Sequence, residues 1–263
     1  MEPLIPSGTK RLKLTLAYDG ASWLGWQTLP SGQTIQDQVE AAFRKLADTP
    51  IRIQGSGRTD AGVHAMGQTA HADVPETCKL TDSAWQNALN ALLPRSIRVL
   101  HAQWVEGSFH ARFDAKSKVY RYRIWRRNVM SPFEMGRAWH VYGPLDDVAM
   151  ETSAGLLVGM HNFSRLSANR GHMTEEERRE NPDAVTRTLS RVDLLRSEDT
   201  IEIEFEGDGF LYKMVRLMVG SLVHVARGRE TPQWIQSLLS DPTGVKSHVM
   251  APADGLYLMR VIY

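Results

Sequence analysis

The clearest periodicity comes first in the chain. Leu12, Leu14, Leu16 and Tyr18 alternate with polar or small residues, so "LKLTLAY" reads as a strand with one buried face. "DG" at Asp19–Gly20 then turns the chain, and "ASWLGWQ" sets two tryptophans beside a glycine, as anchors in a loop would be. Thr34 and Asp37 form a capping-box-like start for a helix whose stripe is Ile35, Val39, Ala42, Phe43 and Leu46. "IRIQ" is a short strand and "QTAHADV" another. Thr81 opens a second helix with Ala84, Trp85, Ala88, Leu89 and Leu92 on one face, stopped by Pro94. "SIRVLHA" and the longer "KSKVYRYRIW" read as strands.

The pattern restarts at Leu145. Asp146 or Asp147 opens a helix through Leu157 and Val158. "RTLSRVDLL" and "IEIEFEG" are two strands, the second alternating Ile with Glu as a half-exposed strand does. "GFLYKMVRLMVGSLVHVA" is the most apolar helix, "TPQWIQSLL" a further one with Pro232 in its first turn, and "GLYLMRVIY" a last strand. Neighbouring strand pairs suit antiparallel hairpins, so the expected class is α+β, a mixed α/β chain. It divides into two comparable halves, 10–110 and 111–263. The segment 165–187, dense in both charge signs and poor in apolar residues, reads as a mobile charged surface insertion.

Composition narrows the classes. The 263 residues are 42% hydrophobic and 23% charged, an ordinary globular balance with length enough for a core. The single cysteine, Cys78, excludes an internal disulfide and points to a reducing cytoplasm. No apolar run approaches membrane-spanning length, so no membrane partner is expected. A net charge of +1 does not announce a nucleic-acid binder; only local clustering can. Nine scattered histidines show no ligand spacing, so no metal is expected. Neither a phosphate-loop pattern nor a G-x-S-x-G is present.

Three segments carry candidate chemistry. "GSGRTDAGVHA", Gly55 to Ala65, sets Arg58 two residues before Asp60 among glycines. Its plainest reading is a turn whose Asp caps a helix and whose Arg is solvated. "AKSKVYRYRIWRR" interleaves basic and aromatic residues: Lys116, Lys118, Tyr120 and Tyr122 share one face of a strand, Arg121, Arg123 and Trp125 the other. Such a face suits bases stacked on rings and phosphates paired with cations, or else an exposed strand whose tyrosines pack on the core. "FLYKMVR" puts Lys213 and Arg216 on one side of a helix. Arg216, deeper in apolar sequence, is the better candidate for a buried ion pair, with Asp60 an apt partner.

Taken in order, "YDGASWLGWQ", "GSGRTDAGVHAMGQ", "NALLP", "FHARFDAKSKVYRY", "LVGMHNFS", "FLYKMVRLMVGSLV" and "APADGLYL" resemble the TruA family of tRNA pseudouridine synthases from about Leu12 to Tyr263. The resemblance implies the pseudouridine synthase fold, two α/β halves sharing a central, mainly antiparallel sheet with a basic cleft between them. It implies a homodimer that isomerises uridine to pseudouridine in the anticodon stem-loop of tRNA, just 3′ of the anticodon, without metal or cofactor. Asp60 matches the catalytic nucleophile, Arg58 the residue that enters the space of the flipped base, and Tyr120 the ring against the target uracil. Arg216 matches the arginine that pairs with the catalytic carboxylate, and Leu256 or Leu258 an apolar wall. Lys116, Lys118, Arg121 and Arg123 are the expected contacts to the RNA backbone. The charged segment 165–187 is longer than the family's usual connection. An RNA-binding or RNA-folding protein of the same fold without activity is the alternative, and the intact set Asp60, Tyr120 and Arg216 argues against it.

Overall fold

A computed structural model describes residues 5–169, 177 and 181–263. In chain order the elements are β1 (Thr9–Tyr18), α1 (Ile35–Ala47), β2 (Ile53–Gly55), β3 (His64–Pro75), α2 (Asp82–Leu92), β4 (Ile97–Val105), β5 (Ser117–Trp125), β6 (Trp139–His140), α3 (Asp147–Gly155), β7 (Gly159–Asn162), β8 (Thr186–Arg196), β9 (Thr200–Gly207), α4 (Met214–Ala226), α5 (Pro232–Ser240) and β10 (Leu256–Ile262). The chain is α+β and forms two compact units, residues 1–116 with 257–263, and residues 117–256.

In the first unit the strand order is β4-β1-β3-β10, with β2 on β3. β1 runs antiparallel to both neighbours, with Leu14 opposite Ala70 and Ala102. β10 lies parallel to β3 and pairs Tyr257 with His64 and Leu258 with Ala65. The alternation of β1 is realised as expected: Leu12, Leu14, Leu16 and Tyr18 are buried. α1 begins where Thr34 accepts the Asp37 N–H at 3.2 Å and its hydroxyl donates to Asp37 Oδ2 at 2.6 Å. Phe43 of α1 meets Trp85 of α2 with ring centres 5.3 Å apart, and this contact seals the helical layer. β3 is longer than "QTAHADV": it takes in His64 to Gly67 and confines the Gly-rich loop to residues 56–63. It is buried along most of its length, so it shows no alternation to read.

In the second unit the order is β5-β9-β8-β7, antiparallel throughout, with β6 parallel to β5. Asp146 caps α3 by accepting the Ala149 N–H at 2.9 Å. α4 starts at Met214, later than the apolar run suggests. Lys213 precedes it with φ +60, a left-handed conformation outside the helix. Lys213 and Arg216 therefore do not share a helix face, contrary to the spacing argument. Gly220 lets α4 approach the segment after α5 closely; a Cβ there would lie 2.2 Å from the Val249 carbonyl oxygen. Of the charged segment 165–187, residues 170–176 and 178–180 lie outside the described residues. Arg165 at its start is buried and donates to the carbonyls of Val245, Ser237 and Asp241.

Candidate active site

Asp60 sits in the loop between β2 and β3, half-buried, with Arg58 exposed two residues earlier. The loop is clamped from both sides. On one side "YDGASWLGWQ" is laid against it. The Trp26 N–H donates to the Thr59 carbonyl at 3.0 Å, and the Gly62 N–H to the Trp23 carbonyl at 3.3 Å. Only glycine fits at Gly20 and Gly25: a Cβ would lie 2.0 Å from the Val63 oxygen and 2.7 Å from the Thr59 oxygen, respectively. The Trp26 ring fills the space over Gly55, where a Cβ would come within 2.6 Å. The glycines thus serve protein-to-protein backbone contact around the loop.

Beneath the loop lies a buried polar network. The Tyr18 hydroxyl and Thr59 Oγ1 share a hydrogen bond of 2.8 Å. Ser56 Oγ donates to Gln68 Oε1 at 2.7 Å, and Gln68 Nε2 donates to the Gly57 carbonyl at 2.9 Å. The Ser56 N–H reaches the Thr69 carbonyl at 2.8 Å, and the Asp60 carbonyl accepts the Val63 N–H at 3.1 Å. Burial pushes the Tyr18 hydroxyl well above the ordinary tyrosine range, against the pull of its bonds to Thr59 and Gln68. Tyr18 therefore stays a neutral hydroxyl. Residues on either side of Asp60 are fixed, which orients the carboxylate. Tyr18, Ser56, Thr59 and Gln68 were not singled out by sequence reasoning. No local signal marks them: Tyr18 continues the apolar face of β1, Ser56 and Thr59 lie in the loop, and β3 has no alternation against which Gln68 stands out.

The other site residues fall as follows. Leu258 on β10 is 1% exposed and Leu256 6%, so in this conformation neither offers a base an open surface. Tyr120 on β5 is 8% exposed and its ring meets Phe210 edge-on, with centres 4.9 Å apart. Arg216, on the first turn of α4, donates from Nε to the Ala251 carbonyl at 2.8 Å, while the Ala251 N–H returns a bond of 3.0 Å to the Arg216 carbonyl. The charge of Arg216 is felt at Tyr122, where burial raises the hydroxyl far above its usual range and Arg216 opposes the rise. Tyr122 donates to the Pro252 carbonyl at 2.8 Å. "APADG" is thereby held on Arg216 and Tyr122.

The basic strand is not the open cationic surface its sequence suggests. Lys116 is exposed and Lys118 half-exposed. Arg121 and Arg123, however, face the alternating glutamates of β9, which is their antiparallel partner. Arg121 bonds Glu204 through Nε at 3.0 Å and Nη2 at 2.7 Å, and lies 3.0 Å from Glu202. Arg123 is held between Glu202 and Glu134, each at 3.0 Å. Burial would raise the Glu204 carboxyl, but Arg121 and Arg191 outweigh it and keep the group below its usual range. Arg126 pairs with Asp147, and Arg127 with Glu198 and Asp199. Arg121 and Arg123, expected against RNA phosphates, are each held by two carboxylates, which offset much of the charge they would bring to a phosphate.

Among the described residues no three His, Cys, Asp or Glu side chains cluster as a metal site, and no helix is long and apolar enough to cross a membrane.

The family model for tRNA pseudouridine synthase matches residues 15–114 and 154–263. Curated relatives named tRNA pseudouridine synthase A include one from Akkermansia muciniphila, 45% identical over 255 residues, covering 96% of this chain and 95% of that one. Another, from Methylacidiphilum infernorum, is 40% identical and covers 95% and 94%. A third, from Geobacillus kaustophilus, is 39% identical and covers 97% and 95%. With the clamped GRTD loop on one unit, the aromatic strand and arginine helix on the other, and relatives matching almost end to end, this chain belongs to the tRNA pseudouridine synthase family.

Proposed function

We propose that this chain isomerises uridine to pseudouridine in the anticodon stem-loop of tRNA, just 3′ of the anticodon, with Asp60 as nucleophile. The observation that carries the reading is the loop itself. Asp60 is half-buried, its neighbours are fixed by Trp26 and by the Tyr18–Thr59 bond, and exposed Arg58 stands two residues away. A carboxylate so held can add to an electrophilic carbon without first losing its own freedom. The glycosidic bond from C1′ to N1 breaks, the uracil turns, and a bond from C1′ to C5 forms. C5 gives up its proton and N1 gains one, so the sum is an isomerisation and needs no external oxidant or reductant. Adducts at uracil C6 and at ribose C1′ both start from this carboxylate. Extruding the base costs a few kcal/mol, which ring stacking offsets in part. Tyr120, Arg216, Leu258 and Arg58 are proposed in the roles the resemblance gives them, Lys116 and Lys118 as phosphate contacts, and the assembly as a homodimer.

Asp60→Asn tests the reading. It keeps shape and removes the nucleophile. Tritium release from 5-tritiated uridine in tRNA should vanish while tRNA binding and the melting temperature hold. Release at the wild-type rate would sink the mechanism. Absence of release from the wild type on any tRNA would leave RNA binding without catalysis.

A further inference from the structure

The segment "FHARFDAK" belongs to the family pattern, yet none of its first six residues has been given work in the reaction. It forms the loop between β4 and β5, and it is built with unusual care for a surface loop. Arg11, buried on β1, grips Asp73 through two bonds of 2.7 and 2.8 Å and spends a third nitrogen on the carbonyls of Gly107 and Phe109, at 2.8 and 2.7 Å. His71 Nδ1 accepts the Ala111 N–H at 3.2 Å. His110 Nδ1 accepts the N–H groups of Arg112 and Phe113, so its proton is on Nε2, which donates to Gln54 Oε1 at 3.0 Å. Asp114 Oδ2 accepts the His110 N–H at 2.8 Å, and the Tyr263 hydroxyl closes the loop on the Ala111 carbonyl at 2.7 Å. Burial and the nearby Arg11 charge hold His110 below its ordinary range, so the imidazole is neutral at pH 7.

All this presents one ring. Phe113 lies on the His110 imidazole, ring centres 4.2 Å apart and planes 27° from parallel, and is 74% exposed. An exposed phenylalanine backed by a fixed, neutral, buried ring is a stacking surface with its ordering cost already met by the loop. The Arg112 guanidinium stands over the ring at 5.8 Å from its centre, the outer limit of a cation–π contact, and leaves most of the ring exposed. Arg112 and Lys116 are exposed, and Lys13 lies over the Phe109 and Tyr263 rings at 4.9 and 4.3 Å; Asp114 is the exposed carboxylate among them, held by the His110 N–H. Cations beside an exposed ring match a nucleobase with its flanking phosphates, whereas the core of a protein interface is depleted in charge. Gln54, bonded to His110, precedes Arg58 by four residues, at most about 14 Å of extended chain. A single RNA strand can therefore touch this ring and the Asp60 loop together.

We infer that Phe113, backed by His110, is a stacking platform for an unpaired nucleobase of the tRNA substrate, with Arg112 and Lys116 taking the adjoining phosphates. The inference rests on the proposed activity and extends it to a second RNA contact. The experiment measures binding of an unmodified tRNA transcript, single-turnover tritium release and oligomeric state for the wild type, Phe113→Ala and Phe113→Trp. Removing a stacked ring should weaken tRNA binding by about 5- to 150-fold, with the rate at saturating tRNA retained and Phe113→Trp close to wild type. Circular dichroism should be unchanged, since the ring is exposed. Unchanged affinity in Phe113→Ala beside an active wild type overturns the platform alone. A change of oligomeric state without loss of affinity also overturns it, by assigning the ring to a second copy of the chain. If the wild type binds tRNA but releases no tritium, the activity fails, while weaker binding by Phe113→Ala still supports the platform.

Discussion

At the scale of single residues, the Asp60 loop shows how much of a site is support. Asp60 and Arg58 were legible because their residue types announce charge chemistry among glycines. Their supports were not, because Tyr18 reads as the last apolar position of a strand and Gln68 as strand filler. Only the fold puts the Tyr18 hydroxyl on Thr59 and the Gln68 amide between Ser56 and Gly57. The roles of the glycines were also hidden, because close approach by Gly20 and Gly25 depends on which segment folds over which. A prediction follows from the network. Tyr18→Phe leaves the ring packed but strands the buried Thr59 hydroxyl, at a cost of about 1–3 kcal/mol. If the bond orients the loop, single-turnover tritium release should fall by about tenfold or more while tRNA affinity stays near wild type, since Tyr18 lies below the loop. A variant that loses stability but keeps the wild-type rate would reduce Tyr18 to packing. Gln68→Leu should behave alike, because it breaks the same network from the other side.

At the scale of elements, strands were found by their period, but what each strand pairs with was not. "KVYRYRIW" and "IEIEFEG" were each read alone, one as basic and one as half-exposed. Set antiparallel, their arginines and glutamates fall opposite one another, Arg121 against Glu204 and Arg123 against Glu202, and the two patterns cancel. Cross-strand opposite charges stabilise a sheet by about 0.2–1 kcal/mol for an exposed pair, and because Glu204 is buried, removing its partner costs more by leaving a desolvated charge uncompensated. The consequence separates two kinds of cation. Arg121→Ala should lower the melting temperature, as it leaves Glu204 short of a partner, and should barely change the slope of log K against log salt for tRNA. Lys116→Ala, on an exposed site, should leave melting alone and reduce that slope by about one. A slope that drops for Arg121→Ala as much as for Lys116→Ala would assign the arginine a phosphate contact as well. The helices were easier: Thr34, Thr81 and Asp146 stand where the caps were expected, since capping depends on a few adjacent residues.

At the scale of the whole molecule, the arrangement of the first unit depends on residues from both ends of the chain. β10 reads correctly as a strand from "GLYLMRVIY", but its place parallel to β3 has no local signal: parallel partners are joined through long connections, and period is silent about them. That place matters to the site. Tyr257 stacks on His64 with ring centres 4.6 Å apart, directly after the Asp60 loop, and Leu258 is buried opposite Ala65. A Cβ on Gly67 would lie 2.6 Å from the Met259 oxygen, so β3 and β10 are in close contact there as well. The Ile262 carbonyl accepts the Lys116 N–H at 2.8 Å, and Tyr263, whose hydroxyl is pushed up to about 12 by burial, bonds Ala111. Removing residues 257–263 gives up about 1.5–3 kcal/mol for Leu258 alone and about 1 kcal/mol for each hydrogen bond, a large part of a typical folding free energy of about 5–15 kcal/mol. Amide exchange in the truncated protein should therefore rise along β3 and through residues 56–63, and tritium release should be lost. Tyr263→Phe, which removes a single bond, should shift the melting temperature slightly and keep activity. Unchanged protection of β3 after truncation would mean that the Asp60 loop stands without β10, and would place its support wholly in the Tyr18 network and the Trp26 clamp.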